Sequence, residues 1–378
     1  MTRFPRPDFS RLGRYETGRE PSRTELGDNT NLWGPHPLAL KRIREAGERD
    51  LAGYPDTYAE TLARAVSDKY GFGPECVTSG HGSDGVLDYS MRCSGAPGAA
   101  VRYPAPTFSM VAPMAVMNGL KPSPVAWPKA LEDASILFRG DPAVVYVCRP
   151  NNPTGELAPR GWLEQVLESA DERFRDDPGT APLLLVDEAY AEFSGDTVIE
   201  QAPSHPRLVV LRTLSKAYGL AGLRCGYGVA GPEVALEIDK ARGPFAVSRL
   251  AVEAAALAVR EGDEWIAQVV AECVANRDRL AGELAGRGLD PWPSHTNFVL
   301  FRVPEGGTAK ALFDGFLAND VWVRPFPRVP GLPESLRVTV GPWPAMRRFL
   351  EVLDLLLASG AAGATTGLEG AEARRAIV

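Results

Sequence analysis

The strongest constraint on the fold is a series of short apolar runs, 76-CVTSG-80, 99-AAVRYP-104, 143-AVVYVC-148, 183-LLLVDEAY-190 and 208-LVVLRT-213, each giving way to polar or small residues. The three longest apolar runs lack alternation, which predicts strands buried on both faces. Helical spacing fills the gaps: Leu62, Ala65, Val66 and Tyr70 line one side of a helix over 58–71, and further helices are expected from Ser83, up to Asn118 and over 159–174. Strands alternating with helices of this length define an α/β domain with a mainly parallel sheet. In such sheets a ligand sits beyond the carboxyl ends of the strands. That rule gathers Gly80 to Asp84, Phe108, Asn152, Asp187, Tyr190 and Lys216 into one crevice.

At 378 residues the chain exceeds the roughly 100 to 200 residues of one domain, so two are expected. Residues 1–27, rich in Arg, Pro and Gly, read as an extended arm, and 28–245 as the large domain. Residues 246–358 read as linking helices over 248–288 and a smaller α+β domain, with strands at 297–303 and 335–341 and a helix at 308–320. The low-complexity end, 359–378, is expected to be disordered. No apolar run approaches the roughly 18 residues that span a bilayer, and the start has no apolar signal core, which points to the cytoplasm. A net charge of −7, with basic residues scattered along the chain, argues against nucleic acid as a partner. The five cysteines form no C-x-x-C pair and do not cluster with the four histidines, so neither zinc nor a disulfide framework is expected.

A lysine after a strand is by itself an ordinary loop residue. Lys216 gains meaning from its company, because a buried lysine beside another cation becomes a neutral nucleophile able to form a Schiff base. Bonded to a cofactor aldehyde, it would need a phosphate site, a carboxylate for a ring nitrogen, donors for a phenolic oxygen and a flat partner for the ring. Gly82, Ser83 and Asp84 at a helix start, with Ser215 and Arg224, form the phosphate candidate, Ser83 and Asp84 being natural caps. Asp187 suits a pyridinium nitrogen, Tyr190 and Asn152 the phenolic oxygen, and Phe108 the ring face. Each also has an ordinary reading: Asp187 as a helix cap, Tyr190 and Phe108 as core, 149-RPNNPTG-155 as a structural turn, Arg224 in a surface ion pair. Residues 80-GHGSDG-85 match the dinucleotide pattern G-x-G-x-x-G, yet 99-AAVRYPAPTF-108 lacks the acid that pattern places downstream, which favours a phosphate cup over a nicotinamide site.

The motifs 150-PNNPTG-155, 187-DEAY-190, 213-TLSKAYGLAGLRCGY-227, 296-TNF-298 and 336-LRVTVG-341, in that order, resemble fold-type I aminotransferases of class I/II that use pyridoxal 5′-phosphate, most of all the histidinol-phosphate aminotransferase branch. The resemblance, over about residues 15–355, implies a three-layer α/β/α large domain and a smaller α+β domain. It implies that Lys216 is the Schiff-base lysine, Asp187 the ring-nitrogen partner, and Tyr190 and Asn152 the phenolic-oxygen contacts. Thr213, Ser215 and Arg224 would join the phosphate site, and Arg337 would bind the substrate's carboxylate or phosphate. Tyr54 would reach the cofactor phosphate of a neighbouring subunit, making the active unit a homodimer. This branch usually reads N-x-N-E-N-P-x-G where the chain has 29-NTNLWGP-35, so a changed substrate is expected, with Asn31 and Arg324 as candidate contacts. The resemblance extends to threonine-phosphate decarboxylases. The expected reaction is transamination between an amino donor and a 2-oxo acid, the freed Lys216 amine serving as general base. Decarboxylation of a phosphorylated amino acid is the alternative, and a non-catalytic regulatory module is disfavoured because the chain has no basic face.

Overall fold

The computed structural model describes residues 4–14 and 21–359; the expected disordered tail and part of the arm lie outside the described residues. Seven strands form the central sheet: β1 (Val77–Gly80), β2 (Ala100–Ala105), β3 (Lys121–Ala126), β4 (Val144–Cys148), β5 (Leu183–Asp187), β6 (Leu208–Thr213) and β7 (Gly226–Ala230). Their order is β1-β7-β6-β5-β4-β2-β3, and only β7 runs against its neighbours. The fold is therefore α/β, with a mixed, mainly parallel sheet.

Side chains along a strand alternate between faces, and the core divides accordingly. Val145, Val147, Leu184, Val186, Leu208 and Val210 pack with Leu62, Leu163 and Val166 from helices Glu60–Tyr70 and Arg160–Asp176. Val144, Tyr146, Leu185, Val209 and Leu211 pack on the other face with Leu87, Val111 and Ile238 from helices Ser83–Arg92, Val111–Met117 and Pro232–Arg242. Every residue of β4 to β7 is buried, as the unbroken apolar runs require.

Two strands escape a reading by propensity. β3 carries Pro122 and Pro124, which deny ladder donors, and it lies at the sheet edge where proline is tolerated. β7 opens on Gly226, where a Cβ would stand 2.5 Å from the backbone of Gly82 and Ser83; glycine lets the two turns touch.

Helices Arg249–Glu261 and Asp263–Gly286 lead to a four-stranded antiparallel sheet of β8 (Asp290–Pro291), β9 (Phe298–Arg302), β10 (Arg324–Phe326) and β11 (Ser335–Thr339), ordered β10-β11-β9-β8. Within the stretch expected as an arm, Thr24 and Glu25 pair in parallel with Val321 and Trp322, and Arg6 donates to the carbonyls of Val116 (2.6 Å) and Met117 (2.9 Å). Among the described residues no helix is long and apolar enough to cross a membrane.

Candidate active site

The carboxyl ends of β1, β2, β4, β5 and β6 share one edge of the sheet. Because β7 runs the other way, its first residue meets the last residues of β1 and β6, Gly226 lying opposite Gly80 and Thr213. Reversal is what carries Arg224, two residues earlier, to the same edge as the turn after β1. There Arg224 Nη2 lies 3.3 Å from Asp84 Oδ2 and donates to His81 O, also at 3.3 Å. Its Nη1 lies 3.5 Å from Ser215 Oγ, and Ser215 is tied to Thr213 through Oγ1–Oγ and N–Oγ1 bonds of 3.0 and 3.2 Å. The helix cap differs from expectation: Gly82, with φ +83, is the N-cap, and Ser83 and Asp84 occupy the first turn. A Cβ on Gly82 would sit 2.9 Å from Arg224 Nη2, so the cradle needs glycine for both reasons. Hydroxyls, a helix start and a guanidinium thus converge on one point, the donor set of a phosphate site.

Lys216 is half-buried, with Nζ donating to Asp28 O at 3.2 Å and lying 5.8 Å from the centre of the Tyr190 ring. Burial, reinforced by the charge of Arg337, lowers its pKa to about 8. Asp187 is buried at the end of β5, where Tyr146 Oη donates to Oδ2 at 2.7 Å and Ala189 N to Oδ1 at 3.1 Å. Burial pushes its pKa up to about 6, and no cation pairs with it among the described residues. A buried carboxylate short of a cation, a deprotonable lysine and a phosphate cradle along one edge fit a phosphorylated cofactor carrying a ring nitrogen and an aldehyde.

Tyr190 stands edge-on to Phe298 at 5.3 Å, and its hydroxyl accepts from Asn29 Nδ2 at 2.9 Å. Asn152 Oδ1 accepts from Arg337 Nη1 at 2.5 Å, while Arg337 Nη2 donates to Gly27 O at 3.0 Å. The Arg337 guanidinium lies 4.9 Å from the Phe298 ring and 5.4 Å from that of Phe326. Arg324 is its direct cross-strand partner. Phe108 is half-buried in the turn after β2, beside Thr107, whose hydroxyl donates to Asn151 Oδ1 at 3.0 Å. Asn31 uses both ends of its amide on the protein, Nδ2 donating to Ala217 O at 2.8 Å and Oδ1 accepting from Trp33 N at 2.9 Å, so it braces the lysine loop. Tyr54 is 79% exposed and its ring lies tilted against Phe245 at 4.8 Å; the described contacts do not bring it to its own crevice. Tyr146 and Asn29 were not among the expected site residues. Register alone could have found Tyr146, since it sits opposite Leu185 on the face that Asp187 also uses.

Seen as a whole, a three-layer α/β/α domain with this strand-end constellation defines a cofactor-dependent enzyme of the aspartate-aminotransferase-like fold. The chain belongs to the family described as aminotransferase class I and II, which it matches over residues 22–353. It is 36% identical over 332 residues to the histidinol-phosphate aminotransferase of Roseiflexus castenholzii, covering 84% of this chain and 85% of that one. The crystal structure of the histidinol-phosphate aminotransferase from Sinorhizobium meliloti in complex with pyridoxal-5′-phosphate superposes with a TM-score of 0.83 at 29% identity, covering 95% and 98% of the two chains. The L-threonine-O-3-phosphate decarboxylase from Porphyromonas gingivalis shares the fold, with a TM-score of 0.76 at 22% identity over 89% and 99% of the chains. This protein is a pyridoxal 5′-phosphate-dependent aminotransferase.

Proposed function

We propose that the protein transfers an amino group between an amino-alcohol phosphate, of which histidinol phosphate is the model, and a 2-oxo acid. One observation carries this reading: the half-buried Lys216 shares its edge with the buried Asp187, which has no cation among the described residues. Pyridoxal phosphate supplies an electron sink that lets an α-proton leave a bound amine. Asp187 would hold the ring nitrogen, and Gly82, Ser83, Asp84, Thr213, Ser215 and Arg224 the phosphate. Phe108 would cover the ring, and Tyr190 and Asn152 would face the phenolic oxygen. Lys216 would hold the cofactor and, once displaced by the incoming amine, carry the proton, for which a pKa near working pH is suited.

The preference for a phosphorylated donor is supported by relatives that act on one and by Arg324 lying directly across the strand pair from Arg337. A dianionic group would offer oxygens to both guanidiniums. The exposed Tyr54 supports a homodimer in which it meets the neighbouring subunit's cofactor phosphate. We place the enzyme in the cytoplasm.

The test adds a panel of amines, histidinol phosphate among them, to the holoenzyme and follows the bound cofactor's absorbance. Histidinol phosphate is expected to bleach the band, and a 2-oxo acid to restore it. Carbon dioxide release without need of an acceptor would instead assign a decarboxylase. Lys216→Ala is expected to lose both the band and nearly all activity; retention of both would reject the site. Mixing Lys216→Ala with Tyr54→Ala subunits is expected to recover activity in mixed dimers, each holding one intact site, and no recovery would reject the shared site.

A further inference from the structure

Residues 26–29 form a strap between the smaller sheet and the lysine loop, with every carbonyl engaged. Four successive carbonyls accept hydrogen bonds: Leu26 O from Thr339 N (2.7 Å), Gly27 O from Arg337 Nη2 (3.0 Å), Asp28 O from Lys216 Nζ (3.2 Å) and Asn29 O from Asn297 Nδ2 (3.0 Å). Asn29 is the most constrained of them. It is 1% exposed and holds φ +55, a conformation a non-glycine residue keeps only where its surroundings impose it. Its backbone N–H donates to Thr339 Oγ1 at 2.9 Å, its Oδ1 faces that hydroxyl at 3.4 Å, and its Nδ2 donates to Tyr190 Oη at 2.9 Å.

An amide N–H can only donate, so in this bond the phenol oxygen accepts and its one hydrogen is left for another partner. Burial pushes the pKa of Tyr190 well up, so that hydrogen stays on the phenol. The Tyr190 ring is clamped by Phe298 and shares the crevice with Lys216. We propose that Asn29 is a positioning residue for the reaction, fixing the Tyr190 hydroxyl as a donor aimed at the cofactor's phenolic oxygen. This rests on the assignment of Tyr190 to that oxygen.

The readout is the pH midpoint of the bound cofactor's absorbance change in the holoenzyme, which follows the proton on the nitrogen joining Lys216 to the cofactor. A donor at the phenolic oxygen stabilises the form that has lost this proton, so loss of the donor raises the midpoint. Tyr190→Phe is expected to raise it by about one pH unit, the scale of one hydrogen bond to a charged oxygen. Asn29→Gly accepts the left-handed backbone at no cost and is expected to raise it by roughly half a unit. Asn29→Asp has the same shape but only accepts; by drawing the phenol hydrogen to itself it is expected to raise the midpoint by about one unit. In the Tyr190→Phe background, Asn29→Gly is expected to add nothing, because its effect passes through the missing hydroxyl. An Asn29→Gly shift that persists undiminished in that background overturns the proposal, as does a wild-type midpoint in both Asn29 variants. If Tyr190→Phe moves the midpoint and the Asn29 variants do not, the positioning role alone falls. If Tyr190→Phe leaves it unmoved, the Tyr190 assignment falls and takes the positioning role with it.

Discussion

Asp187 and Glu188 are consecutive buried carboxylates at the end of β5, and the strand pleat turns them to opposite faces of the sheet. Glu188 points to the face of Arg212, which follows Leu211, the residue opposite Asp187 on β6. There it accepts from Arg212 Nη1 at 2.9 Å, from Val198 N at 2.7 Å and from the Thr197 hydroxyl, while Arg212 also reaches Glu192 (3.0 Å) and Tyr70 (3.2 Å). Among the described residues Asp187 has a tyrosine and one backbone N–H, and no cation. Burial raises the pKa of both, but only for Glu188 does a guanidinium oppose that rise. Two adjacent carboxylates with equal burial thus separate into one completed by the protein and one left to be completed by a ligand. The unpaired charge is the mark of function because it costs stability until the cofactor arrives.

That contrast breaks most visibly on the structural side. Arg212→Ala strands Glu188 and Glu192 without their cation and is expected to destabilise the fold by about 3–5 kcal/mol, measured by denaturant unfolding. A change under about 1 kcal/mol would mean that the two carboxylates do not differ in the way their contacts imply. On the other side, Asp187→Asn removes the charge proposed to hold the ring nitrogen. Turnover of the holoenzyme is expected to fall on the order of a hundred- to a thousandfold, the scale of one preorganised electrostatic contact, and an unchanged rate would remove Asp187 from the site.

The same substitution should stabilise the cofactor-free protein. Asp187 holds its proton to about pH 6, above the ordinary carboxylate value of 3.8. Between those values the folded chain binds more protons than the unfolded one, so its stability falls as pH rises and the deficit is complete above about 6. Asp187→Asn is therefore expected to raise the stability of the cofactor-free protein by on the order of 1–3 kcal/mol at pH ~8 and to give no such gain at pH ~4. Thermal unfolding at the two pH values reads the difference. Equal effects at both would show that the carboxylate is neutral throughout or finds a cation.

The crevice was legible in the chain because strand-end polar residues stand out after unbroken apolar runs, as Asp187 does after Leu183 to Val186. β3 and β7 were not, since Pro122, Pro124, Gly226 and Gly228 are there for edge position and close approach, which propensity does not express. Asn29 and Asn31 stand two residues apart, and local sequence offers no means of choosing between them. The partners that give Asn29 its role lie 161, 268 and 310 positions away, and its backbone angle directs the side chain.

The smallest expected effect lies with Tyr146, a strand residue that reads as core and differs from core only by its hydroxyl. Its Oη is the one side-chain donor to Asp187 among the described residues, and the register of β4 on β5 places it opposite Leu185, on the face that Asp187 also uses. Removing that bond by Tyr146→Phe leaves the ring packing in place and the carboxylate with a backbone donor alone. The ionised form loses a stabilising partner, so the pKa of Asp187 should move further up, and the cofactor-free protein should lose about 1 kcal/mol at pH ~8, where the charge is present. With the cofactor bound as proposed, the pyridinium would meet the charge and the variant's cost should shrink. Unfolding of the two forms side by side measures this difference, and an equal loss in both would mean that Tyr146 supports the strand rather than the charge beside it.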